Sequence, residues 1–226
     1  MTTTLITGAN KGLGKETARQ LAAAGHTVYV SARDEARGRE AAEEVGARFV
    51  QLDVTDDASV AAALAQIEAD GGLDVLVNNA GIGMLALNGP DALRVFDTNA
   101  VGVIRVTEAA LPLLRKSGNP VVVNVSSALG SFWANHEPSR PASQFAAIVY
   151  GASKAAVSML TVQYARAVPE VKFNAVEPGY TATELGGAQS GGRPVEISAR
   201  NIVRMAAIGK DGPTGTFQED DGELGW

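Results

Sequence analysis

The sequence predicts an α/β protein: a doubly wound parallel sheet in a three-layer α/β/α arrangement, formed as one domain over residues 1–226. Three observations carry this reading. Short apolar runs alternate with longer Ala-rich helical stretches along the chain. The connections between runs are long enough for parallel crossovers. The runs are apolar on both faces, as expected of strands covered by helices on each side. With 226 residues, 46% hydrophobic and 19% charged, the chain can bury a sizeable core and lies outside the composition of disordered proteins. No linker, charge block or low-complexity tract divides it.

Thr3–Thr7 reads as the first strand, followed by a glycine turn and a helix that ends near Gly25. Thr27–Ser31 is the next strand. Asp34 is placed to cap a helix running to Val45, which Gly46 stops. Arg48–Leu52 is the third strand, and Asp56 starts a helix that ends before Gly71-Gly72. Leu73–Val77 is the fourth strand. A long helical region from about Ala92 to Leu114 is interrupted by Asn99, Gly102 and Pro112. Val121–Val125 is a strand, then an irregular segment leads to a helix over Tyr150–Ala167 and a strand over Val171–Val176. The glycines of Leu185–Pro194 resist ordering, so residues 184–196 are expected to form a mobile substrate loop. Ile197–Ile208 reads as a last helix and Thr214–Gln218 as a short final strand.

Composition narrows the function. Lys and Arg number 19 against 25 Asp and Glu, a formal charge of -6, which leaves no excess of cations to displace counterions from nucleic acid. The chain has no cysteine and two histidines, which excludes disulfide scaffolds, Cys-based zinc sites and thiol nucleophiles and leaves little for a His-based metal site. No metal is expected. The N-terminus lacks the basic region and long apolar run of a signal peptide, and no stretch approaches the roughly 20 apolar residues that span a bilayer. A cytoplasmic protein without membrane association is expected.

Thr7-Gly8-Ala9-Asn10-Lys11-Gly12-Leu13-Gly14 lies between the first strand and the first helix, where an open α/β sheet binds ligands. Gly8 permits a tight turn, Gly12 lets a ligand approach the backbone and Gly14 allows close helix packing. The helix start offers free N–H groups and a positive dipole end to a pyrophosphate. Gly8, Asn10, Lys11, Gly12, Leu13 and Gly14 are therefore candidate cofactor contacts. The spacing Gly-x-x-x-Gly-x-Gly is neither the usual Gly-x-Gly-x-x-Gly nor a P-loop.

Together with Asn78-Asn79-Ala80-Gly81, Asn99, Ser127 and Tyr150-Gly-Ala-Ser-Lys154, this turn resembles the short-chain dehydrogenase/reductase family, over essentially the whole chain. Gly8–Gly14, Ser31–Asp34 and Gly72–Gly81 look especially like its NADPH-dependent carbonyl reductases. The resemblance implies a Rossmann-type fold and hydride transfer between a nicotinamide and a small carbonyl or alcohol. By the same resemblance, Tyr150 exchanges the proton, Ser127 rather than Ser126 bonds the substrate oxygen, and Asn99 holds a water linking Lys154 to solvent. It further implies that Asp53 and Val54 contact the adenine, that Asn79, Ala80 and Gly81 line the cofactor, and that Thr181 and Thr183 of the Pro178-Gly179 turn bind the carboxamide.

Part of this chemistry follows from the residues alone. Tyr150 and Lys154 are four apart on a helix and share a face. A phenol with pKa of about 10 is a poor acid/base near neutrality. Lowering it by three units takes roughly 4 kcal/mol, the interaction that one cation about 4 Å away supplies at an effective dielectric near 20. Lys154 is expected to supply it. Taken singly, the tyrosine–lysine spacing, a serine ending a strand and an asparagine in a helix have ordinary structural explanations; their joint presence beside the glycine turn is what points to catalysis.

The strand before Ser31-Ala32-Arg33 ends in a cation, with Arg37 one helical turn beyond and Lys11 in the glycine turn. Guanidinium matches a 2′-phosphate bidentately, so Arg33 and Arg37 point to NADP(H) over NAD(H). Asp34, the competing NAD-type acid, is better placed as a helix cap. The rival function is a regulator that senses NADP(H) without catalysis, which would show a broken Ser–Tyr–Lys set. A purely structural module would bind no nucleotide. Tyr150 follows Ser127 by 23 positions of sequence, longer than the common family spacing. This segment, with Phe132 and Trp133, is placed to wall the substrate pocket or cover a subunit contact, and His136 reads as a surface loop residue. The sequence names neither the substrate nor the choice between monomer and homo-oligomer.

Overall fold

Strands apolar on both sides need cover on both sides, and successive residues of each strand here feed two separate cores. The computed structural model describes residues 2–83, 87–183, 185 and 191–226. β1 (Thr3–Ile6), β2 (Thr27–Ala32), β3 (Arg48–Gln51), β4 (Val75–Asn78), β5 (Val121–Val125), β6 (Lys172–Val176), β7 (Thr216–Glu219) and β8 (Gly222–Glu223) form one sheet in the order β3-β2-β1-β4-β5-β6-β7-β8. Every pairing is parallel except β7 with β8. One face packs on α1 (Gly12–Ala23), α2 (Glu35–Glu44) and α8 (Val195–Ala206), through Ile6, Val77, Val123, Leu21, Ala41, Ile202 and Met205. The other packs on α3 (Asp57–Ala69), α5 (Gly102–Leu114) and α7 (Ile148–Ala167), through Leu5, Leu76, Val122, Ile67, Leu114 and Tyr164. Leu5 and Ile6 are both fully buried yet belong to opposite cores, which is the period-2 alternation of a doubly covered strand.

The strand order reverses between β1 and β4, so their carboxyl ends open the crevice that such sheets use for ligands. The expected caps are in place. The Asp34 side chain accepts from Arg37 N, and Asp56 accepts from Ser59 N, each at 3.0 Å. The long helix predicted up to Leu114 is one helical run from Gly89. α4 (Gly89–Phe96) passes into a π-helical turn at Asp97–Val101 and then into α5. Asn99 therefore widens the helix rather than breaking it, and Pro112 stays inside α5.

Several boundaries differ from the sequence reading. β4 begins at Val75 because Asp74 is engaged in accepting from Thr3 N at 2.8 Å and from the Ser117 hydroxyl. α8 starts and ends two residues early, and β7 starts at Thr216 because Gly215, at φ +73°, turns the chain beside Phe173. The β7–β8 hairpin went unread, being two residues long on its second strand. The irregular segment after β5 contains α6 (Phe132–His136), so His136 ends a short helix, its Nδ1 2.7 Å from the Phe132 carbonyl oxygen. The expected mobile loop at 184–196 needs correction at its far end. Arg193 bridges to Thr181, its N–H donating to the Tyr180 carbonyl, and Val195 already begins α8. Glu184 and residues 186–190 lie outside the described residues. Among the described residues no helix is long and apolar enough to cross a membrane.

The segment after β5 is seated against α7 through Gly130. A Cβ there would lie 2.5 Å from the Lys154 carbonyl carbon and 2.6 Å from Ala155 N, both backbone atoms that cannot swing aside. Gly130→Ala should destabilise the protein by about 1–3 kcal/mol, a fall of roughly 2–10 °C in Tm by scanning calorimetry.

Candidate active site

The glycine turn takes the shape its spacing calls for. Gly8 and Gly12 have φ of +62° and +53°, conformations that glycine adopts at little cost. A Cβ on Gly14 would lie 2.9 Å from the Ala9 Cα, so the third glycine does permit close helix approach. Lys11 is the N-cap of α1 and makes no side-chain cap bond. Two side chains fix the turn: Thr7, to which the sequence reading gave no role, and Asn79, read only as a residue lining the cofactor. The Thr7 hydroxyl oxygen accepts from Asn79 N and Ala80 N, each at 3.0 Å, and Asn79 Nδ2 donates to the Thr7 and Gly8 carbonyls at 2.9 and 3.1 Å. Asn79 and Ala80 thereby bind the turn after β1 to the turn after β4. Asn10 and Leu13 are half-buried, Leu13 packing on the α1 core, and Lys11 is exposed.

Arg33 and Asp53 line one open cavity of about 590 Å³ at the ends of β2 and β3, with Gln51, Ser59 and Gln66. Arg37 is exposed and its guanidinium lies 3.8 Å from Asp34, the residue that caps α2. Burial opposes the charge of Asp53, but the Thr55 amide and hydroxyl, with the Arg33 and Arg105 cations, outweigh it and lower its carboxyl below the ordinary value. Both Thr55 bonds go to Oδ1, at 2.9 and 2.7 Å. Val54 is buried, its carbonyl accepting from Arg105, and it touches the position a Gly102 side chain would occupy.

At the other end of the crevice, Ser127, Tyr150, Lys154 and Asn99 converge. The two serines ending β5 divide their tasks. Ser126 is buried, donating to the Lys154 carbonyl at 3.1 Å and bonded to Ser158 at 3.0 Å. Ser127 instead faces the Tyr150 hydroxyl, whose phenolate form it favours, and accepts from Leu129 N at 3.2 Å. Lys154 Nζ donates to the Val125 carbonyl at 2.8 Å and stands 5.7 Å from the Tyr150 ring centroid. Asn99 clamps Ile82 from both sides: Oδ1 accepts from Ile82 N at 2.8 Å, and Nδ2 donates to Ile82 O and to Ser153 Oγ, each at 3.0 Å. A Cβ on Gly81 would meet Asn99 Oδ1 at 3.4 Å and Lys154 Nζ at 3.7 Å, so the turn after β4 passes directly over both.

The electrostatics correct one expectation. Lys154 does not pull the Tyr150 phenol toward neutrality. Burial holds the phenol above the ordinary tyrosine value, the Glu177 carboxylate adds to this, and only the Ser127 hydrogen bond opposes it. Burial lowers Lys154 to about 8, against the Glu177 charge, which favours its cation. Desolvation disfavours each charged form here, and the lysine directs its proton to a backbone carbonyl.

In the turn after β6, the Thr181 hydroxyl donates to the Gly179 carbonyl at 2.8 Å and bonds Ser198 at 2.7 Å. Thr183 instead faces the glycine turn, its Cγ2 3.4 Å from where a Gly12 Cβ would stand. Pro178 and Gly179 are bracketed by Arg193, whose guanidinium donates to the Pro178 carbonyl. Glu177, just before them, was not singled out from the sequence; a carboxylate closing an apolar strand ahead of Pro-Gly was the available signal. Among the described residues no group of His, Asp and Glu is arranged to hold a metal ion.

A family model described as short chain dehydrogenase matches residues 2–193. The short-chain dehydrogenase/reductase ATR10 of Stachybotrys chlorohalonatus is 36% identical, the alignment covering 96% of this chain and 88% of that protein. The (-)-isopiperitenone reductase of Mentha piperita is 31% identical, with 97% and 96% covered. An NADPH-bound carbonyl reductase from chicken fatty liver superposes with a TM-score of 0.87 at 28% identity, over 99% of this chain and 98% of that one. Salutaridine reductase from Papaver somniferum superposes at 0.84 and 27% identity, over 97% and 100%.

Proposed function

The chain belongs to the short chain dehydrogenase family and is an oxidoreductase of the carbonyl/alcohol class, and we propose that it reduces a small-molecule carbonyl with NADPH, Tyr150 giving the proton. The observation that carries this reading is the convergence of Ser127, at the carboxyl end of β5, on Tyr150, with Lys154 Nζ 5.7 Å from the Tyr150 ring centroid and one helical turn farther along α7.

The residues present fit a nicotinamide dinucleotide. Positive-φ Gly8, ahead of α1, and Gly12, its first residue, bare the backbone where the N-cap residue gives no side-chain cap bond, and such a helix start suits a pyrophosphate. Arg33, in the cavity with Asp53, is the guanidinium for a 2′-phosphate, with Lys11 and Arg37 as further cations. Asp53 and Val54 are assigned to the adenine, Asn79, Ala80 and Gly81 to the wall of the site, and Thr183, with the Thr181 backbone, to the carboxamide. The NADPH-bound chicken enzyme supports the same choice of cofactor. When bound, the cofactor supplies the hydride that the carbonyl carbon receives.

The protein's own part is the proton. As the substrate oxygen gains charge, Ser127 and Tyr150 hold it by hydrogen bonds, and Tyr150 Oη–H transfers its proton to that oxygen. The raised phenol suits this direction, because Tyr150 starts protonated and an alkoxide is a stronger base than the phenolate left behind. The Lys154 cation, 5.7 Å from the Tyr150 ring centroid, returns a proton to that phenolate and is itself recharged from solvent. Asn99 is assigned to that return path. Its side-chain amide is committed to Ile82 and Ser153, which leaves the relay to the backbone of the π-helical turn.

Oxidation of NADPH against a panel of ketones, aldehydes and quinones tests the reading. Tyr150→Phe should lower kcat by about 10²–10⁴ while NADPH affinity, followed by fluorescence, stays within about threefold. Ser127→Ala should lose kcat and Ser126→Ala should keep it. Binding of NADPH with no turnover across the panel would favour a sensor instead, and no binding would overturn the cofactor assignment.

Cofactor choice has its own readout. Arg33→Ala should raise KM for NADPH about tenfold or more, the loss of one charge-assisted phosphate contact, with little change for NADH.

The pH dependence follows from Lys154. Its amine is cationic below about 8 and neutral above, whereas Tyr150 remains a phenol through that range. The rate of reduction should therefore fall as pH rises through about 8. Lys154→Met should be slow throughout and lack that limb in its pH–kcat profile.

A further inference from the structure

Glu177 follows β6 and has no part in the scheme above. Its backbone N–H continues the sheet to the Gln218 carbonyl at 2.9 Å. Its carboxylate reaches to two turns at once: Oε2 accepts from Ala128 N, the residue after Ser127, and Oε1 accepts from Gly179 N at 2.8 Å. One of these turns carries the serine that faces Tyr150; the other carries Thr183, which faces the glycine turn. The charged groups around this carboxylate come from several elements. Tyr150 and Lys154 face it from α7, Arg193 from the segment before α8, Glu219 from β7, and Arg140 from the segment before α7. Arg140 is paired with Glu219, and Arg193 with Asp220.

We propose that Glu177 is a positioning residue: its carboxylate fastens the Ser127 turn to the Gly179 turn and turns its negative charge toward the Tyr150–Lys154 pair. The inference rests on the roles given to those two residues above. Bonds from backbone N–H to a carboxylate are charge-assisted and stronger than neutral ones, so one side chain sets the spacing between the residue that orients the substrate oxygen and the turn assigned to the carboxamide. The same charge favours a cationic Lys154 and a protonated Tyr150, the two forms from which reduction starts. Burial is the largest influence on Glu177 and, with Glu219, raises its carboxyl above the ordinary value, while the Ala128 and Gly179 amides and Arg193 oppose this in favour of the charge.

The charge and the clamp are separable. Lysine ¹³Cε NMR of the full chain, with Lys154 assigned among the six lysines by its loss in Lys154→Arg, should give a midpoint near 8. In Glu177→Gln that midpoint should fall by about one unit, tenfold in proton affinity; Glu177→Ala serves as a second neutral variant if Gln disturbs the fold. A midpoint that stays or rises overturns the charge assignment. Glu177→Asp keeps the charge but is one methylene too short to reach both amides. It should leave the Lys154 midpoint near 8 and NADPH affinity within threefold, while kcat for an aromatic aldehyde such as 4-nitrobenzaldehyde drops at least tenfold. Wild-type kcat in Glu177→Asp overturns the clamp. The NMR measurement needs neither cofactor nor substrate, so a protein that reduces nothing would fail the proposed function while leaving the charge assignment to be decided on its own result.

Discussion

The joint between the turns after β1 and β4 is the constraint from which the rest of the crevice follows. Parallel strands that diverge at a switch point leave their carboxyl ends without a common cover, and the backbone groups there need partners of another kind. Thr7 and Asn79 supply them reciprocally, each side chain bonding the other's turn. The fit is close enough that a Cβ on Gly8 would lie 2.9 Å from the Ala80 Cα. Once that joint is made, Gly81 is delivered over Lys154 and Asn99, and the crevice acquires a floor in which its two ends are held at fixed separation.

A second set of bonds carries this rigidity to the helices. Asn78 Nδ2 donates to Thr107 Oγ1 at 3.1 Å and to Asn124 Oδ1 at 2.9 Å, and Asn124 Nδ2 donates to Thr161 Oγ1 at 2.9 Å. The chain of bonds runs from α5 through β4 and β5 to α7, all of it buried. Buried amides are costly when unpaired and rigidifying when satisfied. Here they tie the helical run that carries Asn99 to the helix that carries Tyr150 and Lys154, across two strands whose other contacts are apolar and weakly directional.

Much of this was legible in the residues. Strand–helix alternation, Asp34 and Asp56 as caps, and the glycines at Gly8, Gly12 and Gly14 are local signals, and local physics decides them. The choice of Ser127 over Ser126 came from family resemblance, and the geometry explains it: the first serine is needed inside, against Lys154 and Ser158, so only the second is left to face Tyr150. What the sequence did not disclose depends on contacts distant along the chain. Thr7 and Asn79 are 72 positions apart, and Glu177 acts on Ala128 49 positions away. No window of neighbouring residues contains such a pair. The two-residue strand β8 and the start of α8 at Val195 were missed for a different reason, being set by tertiary pairing at positions where propensity is weak.

The expectation that Lys154 would depress the Tyr150 phenol failed for a reason that bears on the whole site. Two isolated groups at an effective dielectric near 20 would shift each other by their mutual attraction alone, but these two are not isolated. For Tyr150, Lys154 and Glu177 alike, burial is the largest influence, and it acts against every charged form. A desolvated site does not ionise its groups one at a time; each charge is retained only where hydrogen bonds or an opposite charge outweigh the loss of water. Packing is therefore part of the acid–base chemistry. The segment seated through Gly130 against the Lys154 backbone, and Gly81 lying over the lysine amine, determine how dry the site is, and so which protonation states are available to start a reaction.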